Sequence, residues 1–355
     1  MKAAVLKAFG APLAIETVPD PVLGTGEVIV DVAASRVLAY AGEVLSGARN
    51  YLFTPPIIPG PGGIGKVRAL GPDATQLAVG DWVFCDPTVR SRDDAAAPSI
   101  ILQGLTAGDA RSLSLQKYFH DGAWAEQVRV PTENVTPLGA VDPARPAAWC
   151  ALGTYLVPFG GFEAAGLRPG ETVLVNGATG AFGSAGVAVA LAMGARTVVA
   201  TGRNRQALDD LVRRFGPRVR PVRMTLDEEA DRQALLAAAP APIDCVLDIL
   251  PPAASASQVR PALLAVRPYG RVVLMGGLRQ DVGVPYGWLM QNCVTIRGQW
   301  MYARDAIGRM IGLVRSGLLK LDEVEVTTFA LDDVNAAIDH AAAHAGPFKV
   351  TAVCP

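Results

Sequence analysis

The chain has 355 residues, half of them apolar and 18% charged, which fits a packed globular protein and excludes a disordered one. With 32 Lys and Arg against 33 Asp and Glu, nothing indicates a nucleic-acid partner or a charged tail. The length favours two domains. No apolar segment reaches the roughly 18 residues of a membrane span, and the five scattered cysteines fit reduced thiols. We therefore expect a soluble, cytoplasmic protein without a membrane partner.

The predicted elements change character along the chain. Over the first ~140 residues, short apolar runs such as "GEVIVDVAAS" are cut by Gly, Pro and Asp, which is typical of a β-barrel or sandwich. The polar stretch 86–122, rich in Arg and Asp, is interpreted as a flexible insertion. From about Gly153, continuous Val/Ile/Leu runs alternate with helical patterns, which indicates a parallel sheet covered on both faces. The alternation ends after Val294, and the tail is expected to return to the first domain.

Two segments compete for the dinucleotide-binding pattern G-x-G-x-x-G. The first is "PGPGGIG", in which Gly60, Gly62 and Gly65 match it literally. Two prolines, Pro59 and Pro61, interrupt this segment, and no helical pattern follows it. It therefore lacks the backbone N–H groups and the helix N-terminus that bind phosphate. We interpret it as a loop between strands.

The second segment is "VLVNGATGAFGSAGVAVALAMGA", an apolar strand, a tight loop and a helix of small residues. Its core is Ala178-x-Gly180-x-x-Gly183, with Gly177 before it and Gly186 after it. A strand before the loop and a helix after it place N–H groups where a pyrophosphate binds. The alternative is a plain strand-to-helix turn. The predicted cofactor-binding residues here are Ala178, Thr179, Gly180, Ala181, Phe182 and Gly183.

The end of the next strand, "TGRNR", predicts which nicotinamide cofactor binds. An NAD-selective site places Asp or Glu about 20 residues after the glycine loop, but Gly202 stands there. Arg203 and Arg205 can instead pair with a 2′-phosphate, the alternative being two solvated arginines. We therefore predict NADP(H). The predicted residues are Gly202, Arg203, Asn204 and Arg205, with Met275 and Gly276 from "GRVVLMGG".

Five segments occur in an order and spacing that resemble one family. They are "GEVIVDVAAS", "IIPGPGGIGKVRALGPDATQLAVGDWVF", "GAWAEQVRVPTENVTPL", "GLRPGETVLVNGATGAFG" and "VTIRGQW". The chain resembles the medium-chain dehydrogenase/reductase superfamily from end to end. The resemblance implies an α/β protein with a chaperonin-10-like β-barrel catalytic domain (1–152 and 297–355) and a Rossmann NADP-binding domain with a doubly wound parallel sheet (153–296). It also implies a homodimer or homotetramer.

The chain departs from the zinc enzymes of that family. Those enzymes hold zinc through a cysteine after "DVAAS", a His-Glu pair after the "PG" and a Cys or Asp before the Rossmann helix. The corresponding positions here hold Leu38, Pro61, Gly62 and Leu152, none of which can ligate zinc. Only Cys85 lies near the usual four-cysteine lobe. The three histidines, His120, His340 and His344, leave little to build a site from, and we expect no metal.

Without zinc, the resemblance indicates the quinone reductase and enone reductase branches, which pass hydride from NADPH. Tyr40 stands where zinc dehydrogenases relay a proton through Ser or Thr, and enoyl reductases carry an acid tyrosine near Tyr51. Either phenol could serve as catalytic acid, and pocket packing is the alternative for both.

Aromatic side chains are predicted to line the substrate pocket, core packing being the alternative. They are Trp288, Trp300 and Tyr302, together with His120 and its neighbours Tyr118 and Phe119. The leading hypothesis is an NADPH-dependent, zinc-independent oxidoreductase that reduces a small-molecule quinone, enone or related carbonyl. A zinc-free alcohol dehydrogenase or ketone reductase and a non-catalytic NADPH-binding protein are the alternatives.

Overall fold

The computed structural model describes residues 1–355, which divide into two compact units. The first unit comprises Met1–Gly153, Leu321–Ala345 and Lys349–Pro355, and the second comprises Thr154–Lys320 and Gly346–Phe348. None of the helices combines the length and the apolar composition needed to cross a bilayer.

The first unit consists mainly of short strands. Up to residue 153 its strands are β1 (Lys2–Val5), β2 (Ala14–Thr17), β3 (Glu27–Val37), β4 (Gly63–Leu70), β5 (Trp82–Cys85), β6 (Thr88–Arg90), β7 (Ile100–Leu102), β8 (Thr106–Ala107), β9 (Gln127–Pro131) and β10 (Val135–Pro137). Its helices there are α1 (Ala41–Leu45) and α2 (Leu113–Tyr118).

The second unit alternates helices and strands. Its helices are α3 (Leu152–Ala165), α4 (Ala181–Ala192), α5 (Arg205–Phe215), α6 (Glu228–Ala238), α7 (Ala256–Leu264), α8 (Tyr286–Gln291) and α9 (Ala306–Arg315). Its strands are β11 (Thr172–Asn176), β12 (Thr197–Gly202), β13 (Val219–Arg223), β14 (Ile243–Asp248), β15 (Val266–Leu274) and β16 (Thr295–Gly298). The chain then rejoins the first unit through β17 (Glu325–Ala330), α10 (Val334–Ala343) and β18 (Lys349–Cys354).

The long strand β3 organises the main sheet of the first unit. The strand order is β10-β5-β4-β3-β18-β17, with β9 also pairing with β3. Val28 and Val30 of β3 are buried with Val67, Val83 and Val128 in one apolar core. The last strand, β18, pairs antiparallel with β3, so the tail completes the sheet that the N-terminal half begins.

The stretch 86–122 is folded, which corrects its interpretation as a flexible insertion. Strands β6, β7 and β8 form an antiparallel sheet of their own. Val89, Ile101, Ala107 and Phe119 are buried together beneath it. The sequence pattern did not predict this small core, because a few widely spaced apolar residues among Arg and Asp produce no periodic signal.

The second unit is built on one six-stranded sheet in which every pairing is parallel. Its order is β13-β12-β11-β14-β15-β16. All residues of β11 and β12 are buried, as expected for strands whose two faces are both covered by helices. Numbered from β11, this is the 3-2-1-4-5-6 order of doubly wound nucleotide-binding sheets.

The second domain boundary lies later than predicted. The segment 297–320 belongs to the second unit, whereas the sequence prediction placed it in the first. Arg309 of α9 forms an ion pair with Glu163 of α3 at 2.6 Å. A Cβ on Gly160 would lie 2.6 Å from the Tyr302 Cβ, so this segment packs tightly on α3. These contacts join residues far apart in sequence, which no local pattern reveals.

Candidate functional site

The strand order places a crevice at the carboxyl ends of β11 and β14. From β11 the chain crosses to β12 on one side, and β14 continues the sheet on the other. Ligands of open parallel sheets bind at this switch point. The loop that emerges there runs from Gly177 to Gly180, and α4 begins at Ala181. The fold thus presents a helix N-terminus at the predicted loop.

Close backbone contacts fix the shape of this loop. A Cβ on Gly183 would lie 2.0 Å from the Gly177 carbonyl oxygen, so only glycine lets α4 pack this tightly on the loop. At Gly180, by contrast, a Cβ would meet nothing nearer than 3.7 Å. Ala178 is fully buried and donates its N–H to the Thr201 carbonyl at 2.8 Å. Alanine therefore fits at the position where the pattern has its first glycine.

The remaining loop residues flank this turn. Thr179, Ala181 and Phe182 are half-buried. A Cβ on Gly202 would lie 2.3 Å from Thr179 Cγ2, so the end of β12 packs directly on the loop. Gly276, after β15, packs in the same way against the Leu250 carbonyl, where a Cβ would lie 2.7 Å away.

A buried polar network joins three strand ends beneath the loop. Asn176 donates from Nδ2 to Asp248 Oδ1 at 2.7 Å and accepts at Oδ1 from the Thr201 hydroxyl at 2.8 Å. The Gly177 N–H donates to Thr201 Oγ1 at 3.1 Å, and the Met275 N–H donates to the Asp248 carbonyl at 2.9 Å. The loop backbone is therefore anchored to β11, β12 and β14 together.

Asp248 is the titratable member of this network. Its side chain is 3% exposed, and burial raises its pKa to about 6, although hydrogen bonds from Asn176 and from the Leu250 backbone oppose the rise. Sequence reasoning did not identify this network. The available signal was a polar residue at or near the end of each of three apolar strands, in "VLVN", "VVATG" and "CVLD".

The arginines predicted at the end of β12 differ in their surroundings. Arg203 is exposed and forms no ion pair. Arg205 Nε, by contrast, lies 3.8 Å from Oδ2 of Asp209 on the same helix. Asn204 caps α5, its Oδ1 accepting from the Ala207 N–H at 3.2 Å. Its side chain is therefore committed to the helix N-terminus, which the sequence prediction did not anticipate.

A further arginine was missed. Arg223 ends β13, and its Cα is the register partner of Gly202 in the parallel pair β12–β13. It is exposed. Arg203, which follows β12, and Arg223, which ends β13, thus lie at neighbouring strand ends, at the edge where an adenosine ribose would lie.

Tyr40 and Tyr51 meet in the first unit, with ring centroids 6.4 Å apart and planes at 81°. The Arg49 guanidinium carbon lies 3.9 Å from the Tyr40 ring centroid and 5.8 Å from that of Tyr51. Arg49 donates from Nη1 to Glu43 Oε2 at 2.8 Å. Burial of its hydroxyl, above all, raises the pKa of Tyr40 well beyond the usual range, and Arg36 and Arg49 only partly oppose this. The Tyr40 phenol is therefore held protonated.

The aromatic side chains predicted to line the substrate pocket have different surroundings. Tyr302 is buried against α3, and Trp288 packs on the core of the parallel sheet, so both serve as core residues. Trp300 is 46% exposed. His120 lies in the first unit beside Tyr118 and Phe119, in a groove that also includes the N-terminal Met1. These six aromatic residues therefore share aromatic chemistry but differ in their surroundings.

The histidines are engaged in local contacts. His120 Nδ1 lies 3.0 Å from Asp121 Oδ1, and this contact raises the pKa of the imidazole. His340 and His344 stack with ring centroids 4.1 Å apart, and His344 Nδ1 lies 3.1 Å from the His340 carbonyl.

The positions at which the resemblance places zinc ligands are apolar. Leu38 and Leu152 are buried, and Gly62 adopts φ +71° with the Cys85 carbonyl 2.8 Å from where a Cβ would stand. A glutamate at Gly62 would therefore be strained. Leu38 and Pro61 line an apolar pocket with residues such as Val44 and Phe53. No group of three or more His, Cys, Asp or Glu is placed to hold a metal ion, so the residues present do not fit zinc.

Together, the parallel sheet and the glycine loop at its switch point define a dinucleotide-binding protein. A family model described as "Alcohol dehydrogenase GroES-like domain" matches residues 24–140, and one described as "Zinc-binding dehydrogenase" matches residues 181–316. The chain belongs to the medium-chain dehydrogenase/reductase superfamily of oxidoreductases. The predicted chaperonin-10-like and Rossmann architecture is confirmed.

Several known proteins are similar to the chain. An alcohol dehydrogenase of Rhizobium meliloti is 32% identical over 203 residues, which are 56% of this chain and 57% of that protein. An acryloyl-coenzyme A reductase of Metallosphaera sedula is 29% identical over 66% of this chain and 67% of its own length. The structure of a putative zinc-binding dehydrogenase from Sinorhizobium meliloti bound to NADP has a TM-score of 0.78 at 20% identity, covering 100% of this chain and 99% of that one. That likeness shows the fold.

Proposed function

We propose that the protein is an NADPH-dependent, zinc-independent reductase of α,β-unsaturated carbonyl compounds or quinones. The observation that carries the proposal is that the zinc-ligand positions hold apolar residues, two of which, Leu38 and Pro61, line an apolar pocket. The same unit holds the Tyr40–Tyr51 pair, whose phenols could supply a proton. The bound nicotinamide would supply the hydride. Enone reduction then needs a hydrogen-bond or proton donor for the developing oxyanion, which a phenol can provide without a metal.

A relative supports the substrate class. The acryloyl group in the name of the Metallosphaera sedula reductase is an α,β-unsaturated acyl group. A ketone reductase or alcohol dehydrogenase without zinc is the second candidate, favoured by the relatives named alcohol dehydrogenases. A non-catalytic NADPH-binding protein is the third, and it predicts binding without turnover.

One assay series separates these candidates. The purified protein is analysed for zinc and then assayed for NADPH oxidation with enones, quinones and saturated ketones. Turnover of enones or quinones, with less than about a tenth of an equivalent of zinc, is the expected result. Stoichiometric zinc, or turnover confined to simple ketones and alcohols, contradicts the proposal.

We propose NADPH as the cofactor because the residues at the strand ends suit its 2′-phosphate. Gly202 offers no carboxylate to bind a ribose hydroxyl, and the exposed Arg203 and Arg223 are available for charge-assisted hydrogen bonds. Gly180 leaves room for a pyrophosphate to approach the backbone. The loop and the polar network would hold the rest of the dinucleotide.

Replacing Arg203 by alanine tests the cofactor assignment. We expect NADPH affinity to fall about 10-fold to 100-fold and NADH affinity to stay the same, since a hydrogen bond between charged groups contributes about 1.5–3 kcal/mol. Arg223→Ala should act in the same direction. The control is Arg213→Ala on α5, where the arginine already pairs with Asp210. Titration of intrinsic fluorescence gives both dissociation constants, and equal losses for NADPH and NADH would refute the assignment.

We also propose that the chain forms a homodimer through the outer strand of the parallel sheet. Strand β16 pairs only with β15, which leaves one edge open. Tyr286 and Met290 of the neighbouring α8 are 82% and 61% exposed. Open strand edges and exposed apolar side chains are features of association surfaces.

Light scattering tests the dimer. We expect twice the 37.0 kDa chain mass for the wild type and a shift toward monomer in Tyr286→Lys/Met290→Lys. The matched control is Leu318→Lys, a leucine outside β16 and α8 whose side chain is 59% exposed. A monomeric wild type would rule the dimer out.

A further inference from the structure

We propose that His120 is a positioning residue for the apolar pocket, and that its protonated imidazole holds one wall of this pocket, the segment 53–56, in place. Phe53 of this segment is buried and lines the pocket together with Leu38 and Pro61. The inference rests on the proposed function and takes this pocket as the one that receives the substrate. It makes substrate binding depend on pH.

The segment 53–56 is anchored at both ends but hardly in between. On either side of it, Leu52 and Ile57 form backbone hydrogen bonds to distant parts of the chain. Within the segment, the Thr54 carbonyl forms the one hydrogen bond, and its partner is His120 Nε2 at 3.2 Å. Two of the four residues are prolines, which have no N–H to donate. His120 is therefore the polar contact that fixes this wall.

His120 lies between two oxygen atoms that can only accept a hydrogen bond. Its Nδ1 is 3.0 Å from Asp121 Oδ1, and its Nε2 faces the Thr54 carbonyl oxygen. A neutral imidazole has one donor and one acceptor nitrogen, whereas the imidazolium has two donors. Only the protonated ring satisfies both oxygens. When the ring loses a proton it keeps the charge-assisted bond to the carboxylate, so the bond to Thr54 is the one that breaks.

The carboxylate side of this arrangement is fixed to the backbone. Asp121 Oδ1 also accepts from the Ile58 N–H at 3.0 Å, and the Gly122 N–H donates to the Ile58 carbonyl at 2.7 Å. Gln103 Nε2 donates to the Asp121 carbonyl at 2.8 Å. Ile58 itself is buried. The segment 53–56 is held by fewer bonds than Asp121, so it is the partner that moves when the imidazole is neutral.

Asp121 is the charged group that faces the ring. Its hydrogen bond raises the pKa of His120 above the ordinary value of 6.5, and burial of the ring only partly opposes this. The other charged or titratable groups of the surrounding groove pair with each other or with Glu27, and they are Met1, Asp20, Tyr118 and Arg129. The bond to Thr54 is therefore complete below the ordinary pKa and is lost as the pH rises through the raised one.

The pH dependence of KM tests the assignment, with 2-cyclohexen-1-one as the probe enone. From about pH 6 to about pH 9 we expect the wild-type KM to rise ~10-fold, because substrate must then order a wall that has lost its hydrogen bond. His120→Ala should show the high KM at every pH. His120→Gln, whose amide can donate to Thr54 without titrating, should recover part of the loss at every pH. The NADPH dissociation constant should stay the same in both variants.

Two further variants make the result specific. Asp121→Asn should move the rise in KM to lower pH, because the carboxylate that stabilises the imidazolium is gone while an oxygen remains to accept its N–H. The matched control is His344→Ala, which removes an exposed imidazole from the end of α10 and should leave the KM profile of the wild type unchanged. An Asp121→Asn profile that coincides with the wild type would contradict the proposal.

A readout independent of turnover follows the pocket wall itself. The ten phenylalanines are replaced by 4-fluorophenylalanine, and the Phe53 fluorine resonance is assigned by its loss in Phe53→Leu. In the wild type this resonance should titrate with the same midpoint as the imidazole protons of His120, and in His120→Ala it should not change with pH. A Phe53 resonance that does not follow His120, or a His120→Ala variant whose KM still varies as in the wild type, overturns the inference alone. A wild type that reduces no enone or quinone overturns the proposed function, and the two titrations then decide the inference by themselves.

Discussion

Replacing Gly183 by alanine is expected to weaken NADPH binding strongly. The new Cβ would stand 2.0 Å from the Gly177 carbonyl oxygen and 2.8 Å from the Ala178 Cα, both of them backbone atoms of the proposed cofactor loop. The loop can relieve this overlap only by moving away from α4. Overpacking of this kind costs about 1–3 kcal/mol or more. NADPH binding needs the loop in its original position, where the overlap returns, so the affinity should fall about 100-fold. Fluorescence titration with NADPH measures the effect.

Two other glycines on the same loop and helix make the result specific. Gly180→Ala meets nothing nearer than 3.7 Å, so the thermal midpoint should not change while NADPH affinity falls. Gly186→Ala meets only side-chain atoms, at 3.3–3.5 Å, and should change both quantities little. If Gly183→Ala bound NADPH as the wild type does, the segment would not be the cofactor loop.

Replacing Asp248 by asparagine is expected to remove a pH-dependent part of the protein's stability. Burial raises the pKa of this carboxyl from 3.8 to about 6. Between these values the folded state keeps a proton that the unfolded chain has released, so the free energy of unfolding falls as the pH rises through this window. Above pH 6 the loss is complete, at ~3 kcal/mol.

Urea unfolding of the wild type and of Asp248→Asn between pH 4 and pH 7.5 measures this contribution. The free energy of unfolding of the variant should rise relative to that of the wild type as the pH rises. The difference should become constant above pH 6. Thr201→Val is the matched control, because it breaks the same network without removing a titratable group. Its free energy of unfolding should be about 1–3 kcal/mol lower than that of the wild type, and this difference should not change with pH. Parallel curves for Asp248→Asn and the wild type would refute the linkage.

Much of the fold could be predicted from local pattern. Continuous apolar strands alternating with helices predicted the doubly wound sheet, and the loop before α4 was separated from "PGPGGIG" by the strand and helix around it. The periodicity of apolar residues and the spacing of glycines follow from local backbone geometry, so both can be recognised in the sequence. Tyr40 and Tyr51 stay predictions as candidate acids, and the structure shows that their rings meet.

The differences between expectation and structure share one physical cause. Trp288, Trp300 and Tyr302 were grouped by chemistry, but burial separated them. The segment 297–320 was assigned by its distance from the Rossmann pattern, whereas contacts with α3 decide where it belongs. Both outcomes depend on which distant residues pack together.

The sequence by itself determined the family, and it predicted the cofactor loop and the loss of the zinc-ligand positions, because each is a matter of residue identity at a local spacing. Only the tertiary structure decided the rest. It brought Asn176, Thr201 and Asp248 together from three strands, and it turned Arg49 onto both Tyr40 and Tyr51. The hydrogen bonds and the burial of a charged group depend on such contacts, since the environment of a side chain is set by neighbours that lie far away along the chain.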